Sequence, residues 1–334
     1  MIPFSVLDLS PILQGSDAAH SFRSTLDLAR HAERWGYRRF WLAEHHGMPG
    51  IASAATAVLI GYVAAGTSTI RVGAGGIMLP NHSPLIVAEQ FGTLESLYPG
   101  RIDLGLGRAP GSDPLTSQAL RRNLSSDPDE FPRDVQELAD LLSDSPRQAI
   151  RAVPGTGLNV PLWILGSSLF GAQVAAAFGL PYAFASHFAP GQMMAAIKMY
   201  RSEFRPSRNL TKPYVMLGFN VVGADSLPEA KFLATSMQQA FVNLRSGRPS
   251  QLPPPVEGYI ERLGPQERTM LDQVLSCSSI GTPEMVRADL RKFIEQTGAD
   301  ELIITSQIFD HAARLQSFEI AAKAFTDAPL TQVG

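Results

Sequence analysis

Glu44, His45 and His46 stand side by side at the end of a short apolar run, Phe40-Trp41-Leu42-Ala43. A carboxylate beside two imidazoles can hold or move a proton. Apolar residues without alternation suit a strand covered on both faces, as in a parallel α/β sheet. In such folds the chemistry gathers at the carboxyl ends of the strands, where these three residues lie. Adjacent strand residues point to opposite faces, so His45 and His46 cannot share one pocket if the strand continues. One faces inward and the other packs or bonds locally. Spacing alone leaves a histidine of this kind as readily structural as catalytic. The same separation weakens a metal-dependent hydrolase built on Glu44, His45 and His46, and no metal site is expected.

Two further spots carry chemistry. Gly75 and Gly76 sit together at a strand end, where paired glycines allow close approach of a flat ligand; an ordinary bulge explains them at least as well. Gly166-Ser167-Ser168 lies between a strand and a helix. Free N–H groups, the helix dipole and two hydroxyls there make a phosphate site, although simple capping by serine is the plainer reading. Arg108 closes the fourth strand, in position to add a cation.

The elements that must position these residues follow a regular rhythm. Strands are expected at Phe4–Leu9, Phe40–Ala43, Thr69–Pro80, Arg101–Arg108, Pro161–Leu165, Tyr182–Ala185, Tyr214–Val222 and Glu301–Thr305, with helices between them. Such alternation predicts a parallel sheet with right-handed crossovers. Eight strands with flanking helices argue for a (β/α)8 TIM barrel, an open doubly wound sheet being the alternative. No Gly-x-Gly-x-x-Gly follows the first strand, against a dinucleotide fold. A loop rich in Pro, Gly, Ser and Asp, from Ala109 to about Asp129, is long enough to be functional or mobile. About residues 226–279 break the rhythm with two helical stretches and Pro253-Pro254-Pro255. They read as an insertion after strand seven of one domain spanning 1–334.

Composition sets limits. The chain has 334 residues, 45% hydrophobic and 18% charged, with net charge −3. That is a globular protein with a sizeable core, and the slight acidity suggests neither a nucleic-acid nor a membrane partner. Cys277 is the single cysteine, so no internal disulfide or cysteine metal cluster can form. No signal peptide and no apolar stretch of membrane-spanning length stands out, so a cytoplasmic location is expected.

Three segments together resemble the bacterial luciferase-like flavin monooxygenases: Trp41 to His46, Arg71 to His82, and Gly100 to Arg108. The resemblance covers nearly the whole chain. It implies a TIM barrel using reduced FMN supplied by a separate reductase, or in some branches the deazaflavin F420. By the resemblance, His45 matches the catalytic histidine near the flavin's reactive edge. Gly75 and Gly76 match a non-proline cis peptide behind the isoalloxazine. Arg108, Gly166, Ser167 and Ser168 match the phosphate end. No acyl-aldehyde pocket is recognisable, so luciferase activity itself is not implied, and the pattern looks closest to small-molecule tailoring members.

The reaction implied is oxygenation of a small organic substrate with O2, with His45 bonding or moving a proton and water kept out. The insertion is expected to act as a lid, with residues 249–258 mobile because they are Pro-rich and poor in apolar anchors. The helix over Ser53 to Ala65 is apolar on two faces, which predicts a homodimer. F420-dependent hydride transfer and flavin binding without turnover are the alternatives.

Overall fold

The computed structural model describes residues 2–108, 114–120, 130–144 and 149–324. Most of the expected functional loop, 109–129, lies outside the described residues. Among the described residues nine parallel strands form one sheet: β1 (Phe4–Asp8), β2 (Arg39–Leu42), β3 (Arg71–Met78), β4 (Ile102–Gly107), β5 (Leu162–Gly166), β6 (Tyr182–Phe184), β7 (Val215–Gly223), β8 (Ser278–Gly281) and β9 (Glu301–Thr305). Pairing of β6 with β7 and of β9 with β1 closes an eight-strand ring, β1-β2-β3-β4-β5-β6-β7-β9. The fold is a (β/α)8 barrel with surrounding helices, as the strand rhythm predicts.

β8 is the departure from the sequence reading. Met216–Asn220 of β7 pairs with β9, while Asn220–Gly223 runs on past the ring and pairs with Ser278–Gly281. The insertion therefore returns to the sheet as an extra strand before the last barrel unit. Four residues, two of them serine, carry too little pattern to announce a strand.

Inside the ring the residues alternate. Phe40 and Leu42 pack outward against helices, while Trp41 points in and joins Leu7, Ala43, Trp163, Ala183, Met216 and Ile303. Trp41 and Trp163 meet edge-on at 5.1 Å. Two indoles fit because the facing positions are glycine: a Cβ on Gly73 would lie 2.9 Å from Trp41 Nε1.

The amino end of the barrel is plugged by buried charge. Arg39 bonds Asp103 at 2.6 Å and Glu301 at 3.1 Å, and Arg71 reaches the other Asp103 oxygen at 2.6 Å. Ser5 and Tyr214 donate to Glu301, and Trp41 donates to Asp103. Two cations against two carboxylates, with every oxygen bonded, is the arrangement in which buried ions persist. That leaves the carboxyl end for ligands.

The insertion carries its own core. Helix Leu227–Arg245 and helix Pro265–Val274 pack Leu233, Met237, Phe241, Leu271 and Val274 around Val222 of β7. The Pro-rich stretch is not poor in anchors. Leu252 and Pro253 are buried. Leu252 exchanges backbone bonds with Ile12 (2.9 Å) and Gln14 (2.8 Å), just past β1. Gly50, in the loop after β2, abuts Ser250 so closely that a Cβ would meet its carbonyl oxygen. Gln239 donates to the Pro254 carbonyl, and the Thr235 hydroxyl accepts from Val256 N–H. Seven residues before Leu252, at the end of the first insertion helix, Arg245 donates to the Phe188 carbonyl at 3.3 Å, beyond β6. The stretch from Arg245 to Leu252 thus runs from the β6 rim to the β1–β2 rim with a bond at each end, and the expectation that the Pro-rich stretch is poor in apolar anchors is corrected.

Candidate active site

Glu44 follows β2 and is 3% exposed. Its Oε1 meets His46 Nε2 at 2.5 Å and His82 Nε2 at 2.8 Å, and its Oε2 accepts Met78 N–H at 2.9 Å. Burial alone would raise this carboxyl's pKa; the His82 bond and charge, Met78 N–H and His46 outweigh it and pull the pKa below the ordinary carboxylate value. His46 is therefore the locally bonded member of the pair. The ligand atoms of Glu44, His46 and His82 lie within 4.8 Å of one another. A cation could enter only by displacing both histidine bonds, and with them in place the carboxylate is satisfied. The third partner is His82, 38 residues away, which the sequence reading quoted without assigning it a role.

His45 behaves differently. Its Nδ1 is buried and has no hydrogen-bond partner. Burial pushes the imidazole below its usual pKa, with His46 acting in the same direction; the Ala43 carbonyl and Glu44 charge pull the other way. Burial thus favours the neutral ring, and the orphaned Nδ1 is left for a bound ligand.

Beside it, β3 carries a bulge. The β3–β4 register shifts between Ala74 and Ile77, and the Gly75–Gly76 peptide is cis. A Cβ on Gly75 would sit 2.8 Å from Leu7 Cδ1 and 3.0 Å from Trp41 Cβ; one on Gly76 would sit 2.8 Å from the Gly105 carbonyl oxygen. Packing against the barrel interior already requires both glycines. The Gly76 carbonyl accepts Glu44 N–H at 3.3 Å, tying the bulge to the loop that presents His45.

The other expected residues come together two strands further round. Arg108, just past β4 and exposed, places its guanidinium carbon 3.9 Å from the centre of the Phe170 ring. Phe170 is the second residue of helix Leu169–Phe178, whose N-cap is Ser168. Ser168 has extended N-cap geometry, yet its side chain makes no capping bond. Simple capping is thus not what the serine does, and the helix start keeps its donors beside a cation, with Gly166 and Ser167 leading into it.

His187 and Asn220 escaped notice in the sequence. His187 follows β6 as His45 follows β2, and the rule that found His45 would have found it. Burial, with His45 adding to it, takes its pKa down to about 4. Its Nδ1 and the Asn220 Oδ1 are also buried without partners. A buried unpaired polar atom costs about 1–3 kcal/mol, so the orphans on His45, His187 and Asn220, all at the carboxyl ends of ring strands, mark a place that a ligand could satisfy.

The family model described as luciferase-like monooxygenase matches residues 2–301. A luciferase-like monooxygenase of Escherichia coli K12 is 58% identical over 96% of both chains. The N-acetyl-S-alkylcysteine monooxygenase of Bacillus subtilis is 32% identical over 97% of this chain and 98% of its own. Among solved structures, apo-MsnO8 superposes with a TM-score of 0.92 at 36% identity, covering 98% of this chain and 100% of that one.

Proposed function

The chain belongs to the luciferase-like monooxygenase family, and we propose that it is a flavin-dependent monooxygenase that uses reduced FMN and O2 on a small organic substrate. One observation carries the cofactor assignment: the uncapped start of helix Leu169–Phe178, with Arg108 held above it by Phe170. A dianionic phosphate would take the free N–H groups, the Ser167 and Ser168 hydroxyls and the guanidinium. The flat ring system would lie toward the Gly75–Gly76 bulge and His45. Reduced flavin supplies the electrons that activate oxygen.

The chain's own residues do the rest. His45, neutral and unpartnered at Nδ1, exchanges a proton with the bound ligand. Glu44, His46 and His82 hold the loop that presents it. The pinned insertion covers the mouth and limits water. The B. subtilis relative's name makes N-acetyl-S-alkylcysteines the first substrates to try, and the resemblance to tailoring members makes secondary-metabolite tailoring a setting to examine. A separate reductase would supply the reduced flavin, as the family resemblance implies. A homodimer is supported by helix Thr56–Ala65, whose outward Val58 is 75% exposed beside Tyr62 at 43%; a monomer mass by light scattering at micromolar concentration refutes it. No helix among the described residues is long and apolar enough to cross a membrane.

The test is titration with FMN and with F420, followed by oxygen uptake and product analysis with a flavin reductase and NADH. FMN binding with substrate-dependent oxygen incorporation is expected. F420 binding with hydride transfer and no oxygen uptake replaces this reading; flavin binding with no turnover on any substrate reduces the protein to a binder.

A further inference from the structure

His45 and His187 occupy equivalent places. Each is the third residue beyond the last residue of its strand, Leu42 of β2 or Phe184 of β6. β2 and β6 are four apart in a ring of eight, so they face each other across the barrel. They are close enough that His45 depresses the pKa of His187.

The position of His187 is built with care. The Ser186 hydroxyl donates to the Gly218 carbonyl at 2.7 Å, and the Asn220 Nδ2 donates to the His187 carbonyl at 2.7 Å. A carbonyl only accepts, so the nitrogen end of the Asn220 carboxamide is fixed. These bonds fasten the segment after β6 to β7. Gly218 then leaves the space the imidazole needs: a Cβ there would lie 2.0 Å from His187 Nδ1. Three residues are thus committed to placing one ring. Structural duty does not account for it, because Nδ1 is buried without a hydrogen-bond partner.

The tautomer follows from this packing. A proton on Nδ1 would be a buried donor pressed against Gly218 with no acceptor. The neutral ring therefore carries its proton on Nε2. We propose that His187 is a second ligand-contacting residue of this site, facing His45 and presenting Nε2–H to an acceptor oxygen of the bound molecule. A neutral donor suits a carbonyl or hydroxyl oxygen, and the shared chemistry comes from two sources, the imide carbonyls of the flavin or a carbonyl on the substrate. The proposal rests on the functional reading above.

Ring 15N NMR on the unaltered protein reads the tautomer directly. A neutral His187 ring with the proton on Nε2 at pH 7 is expected, and an Nδ1–H or charged ring overturns the proposal. Calorimetric titrations then compare the parent with His187→Phe and His187→Gln, using FMN alone and N-acetyl-S-methylcysteine added to the FMN-loaded protein. His187→Phe is expected to weaken one of them by about three- to tenfold, the range for a neutral hydrogen bond, with His187→Gln recovering most of it. Loss with FMN names the flavin as acceptor; loss confined to the cysteine derivative names the substrate. A parent that takes up no FMN ends the functional reading. A parent that binds FMN while His187→Phe binds both probes equally well ends this proposal alone.

Discussion

Replacing His45 and His46 by alanine, one at a time, separates a ligand-facing histidine from a supporting one. His46 donates to a carboxylate that is 3% exposed and has two other donors, His82 and Met78 N–H. Hydrogen bonds to charged groups contribute about 1.5–3 kcal/mol, and the partial exposure of His46 places its share near the lower end. His46→Ala should therefore lose about 1–2 kcal/mol, roughly 2 °C in Tm for a chain this long. His45 has no partner at Nδ1 to lose. Its removal deletes a buried orphan nitrogen and some ring packing, which offset to within about 1 kcal/mol. Its activity should fall by about 10²–10⁴-fold, the usual contribution of a positioned proton-transfer group. The assay pairs urea unfolding with product formed and hydrogen peroxide released per reduced flavin consumed. A His45→Ala protein destabilised as much as His46→Ala, with coupling intact per folded molecule, would refute the division of labour.

Three further outcomes are expected. Arg108→Ala should weaken FMN binding by about 1.5–3 kcal/mol, the value of a charge-assisted bond; unchanged affinity in a titration removes Arg108 from the phosphate corner. Gly218→Ala drives a methyl against His187, whose backbone is tied by Ser186 and Asn220, so about 1–3 kcal/mol of stability should go, together with a shift of the His187 ring resonances. Glu33 is pushed upward by burial, but Thr69, Ile70 and Ser68 N–H and the Thr69 hydroxyl bring its pKa from 4.5 down to about 2. A depressed carboxyl stabilises the fold above its unfolded pKa and loses that contribution as pH falls from 4.5 toward 2. The ceiling is about 3.4 kcal/mol, reduced to about 1–2 because the group is partly open to solvent. Glu33→Gln should therefore match the parent near pH 2 and fall below it at pH 7 in denaturant unfolding; a constant gap across that window contradicts the assignment.

What the sequence shows and hides divides along physical lines. The barrel was legible because most ring strands carry a short apolar run, such as Phe40–Leu42 or Leu302–Ile304, and helices separate them at regular spacing. Trp41 pointing inward between Phe40 and Leu42 follows from alternation alone. Partnerships across the ring were not legible. Arg39 finds Asp103 and Glu301, 64 and 262 residues away, and the chain displays them only as charges at strand ends. His82 beside Glu44 has the same origin. The Pro-rich stretch misled because composition reports polarity and stiffness, while its anchoring depends on Leu252 meeting Ile12 and Gln14. His187 was missed for a simpler reason: one histidine after a three-residue strand draws less notice than two after β2.

The insertion's two fastenings have a consequence for how the site opens. A cover hinged at one rim swings, whereas one tied at Phe188 on one side and at Gly50 and Ile12 on the other acts as a strut. Under the covering role proposed above, its span, set by the residues between Arg245 and Leu252, would fix the aperture. The corner formed by Arg108 and Ser168 lies in the β3–β5 arc, outside both fastenings. Lengthening or shortening the strut should change which molecules reach His45 while leaving flavin uptake unaltered, so substrate range and cofactor affinity can diverge independently within one barrel.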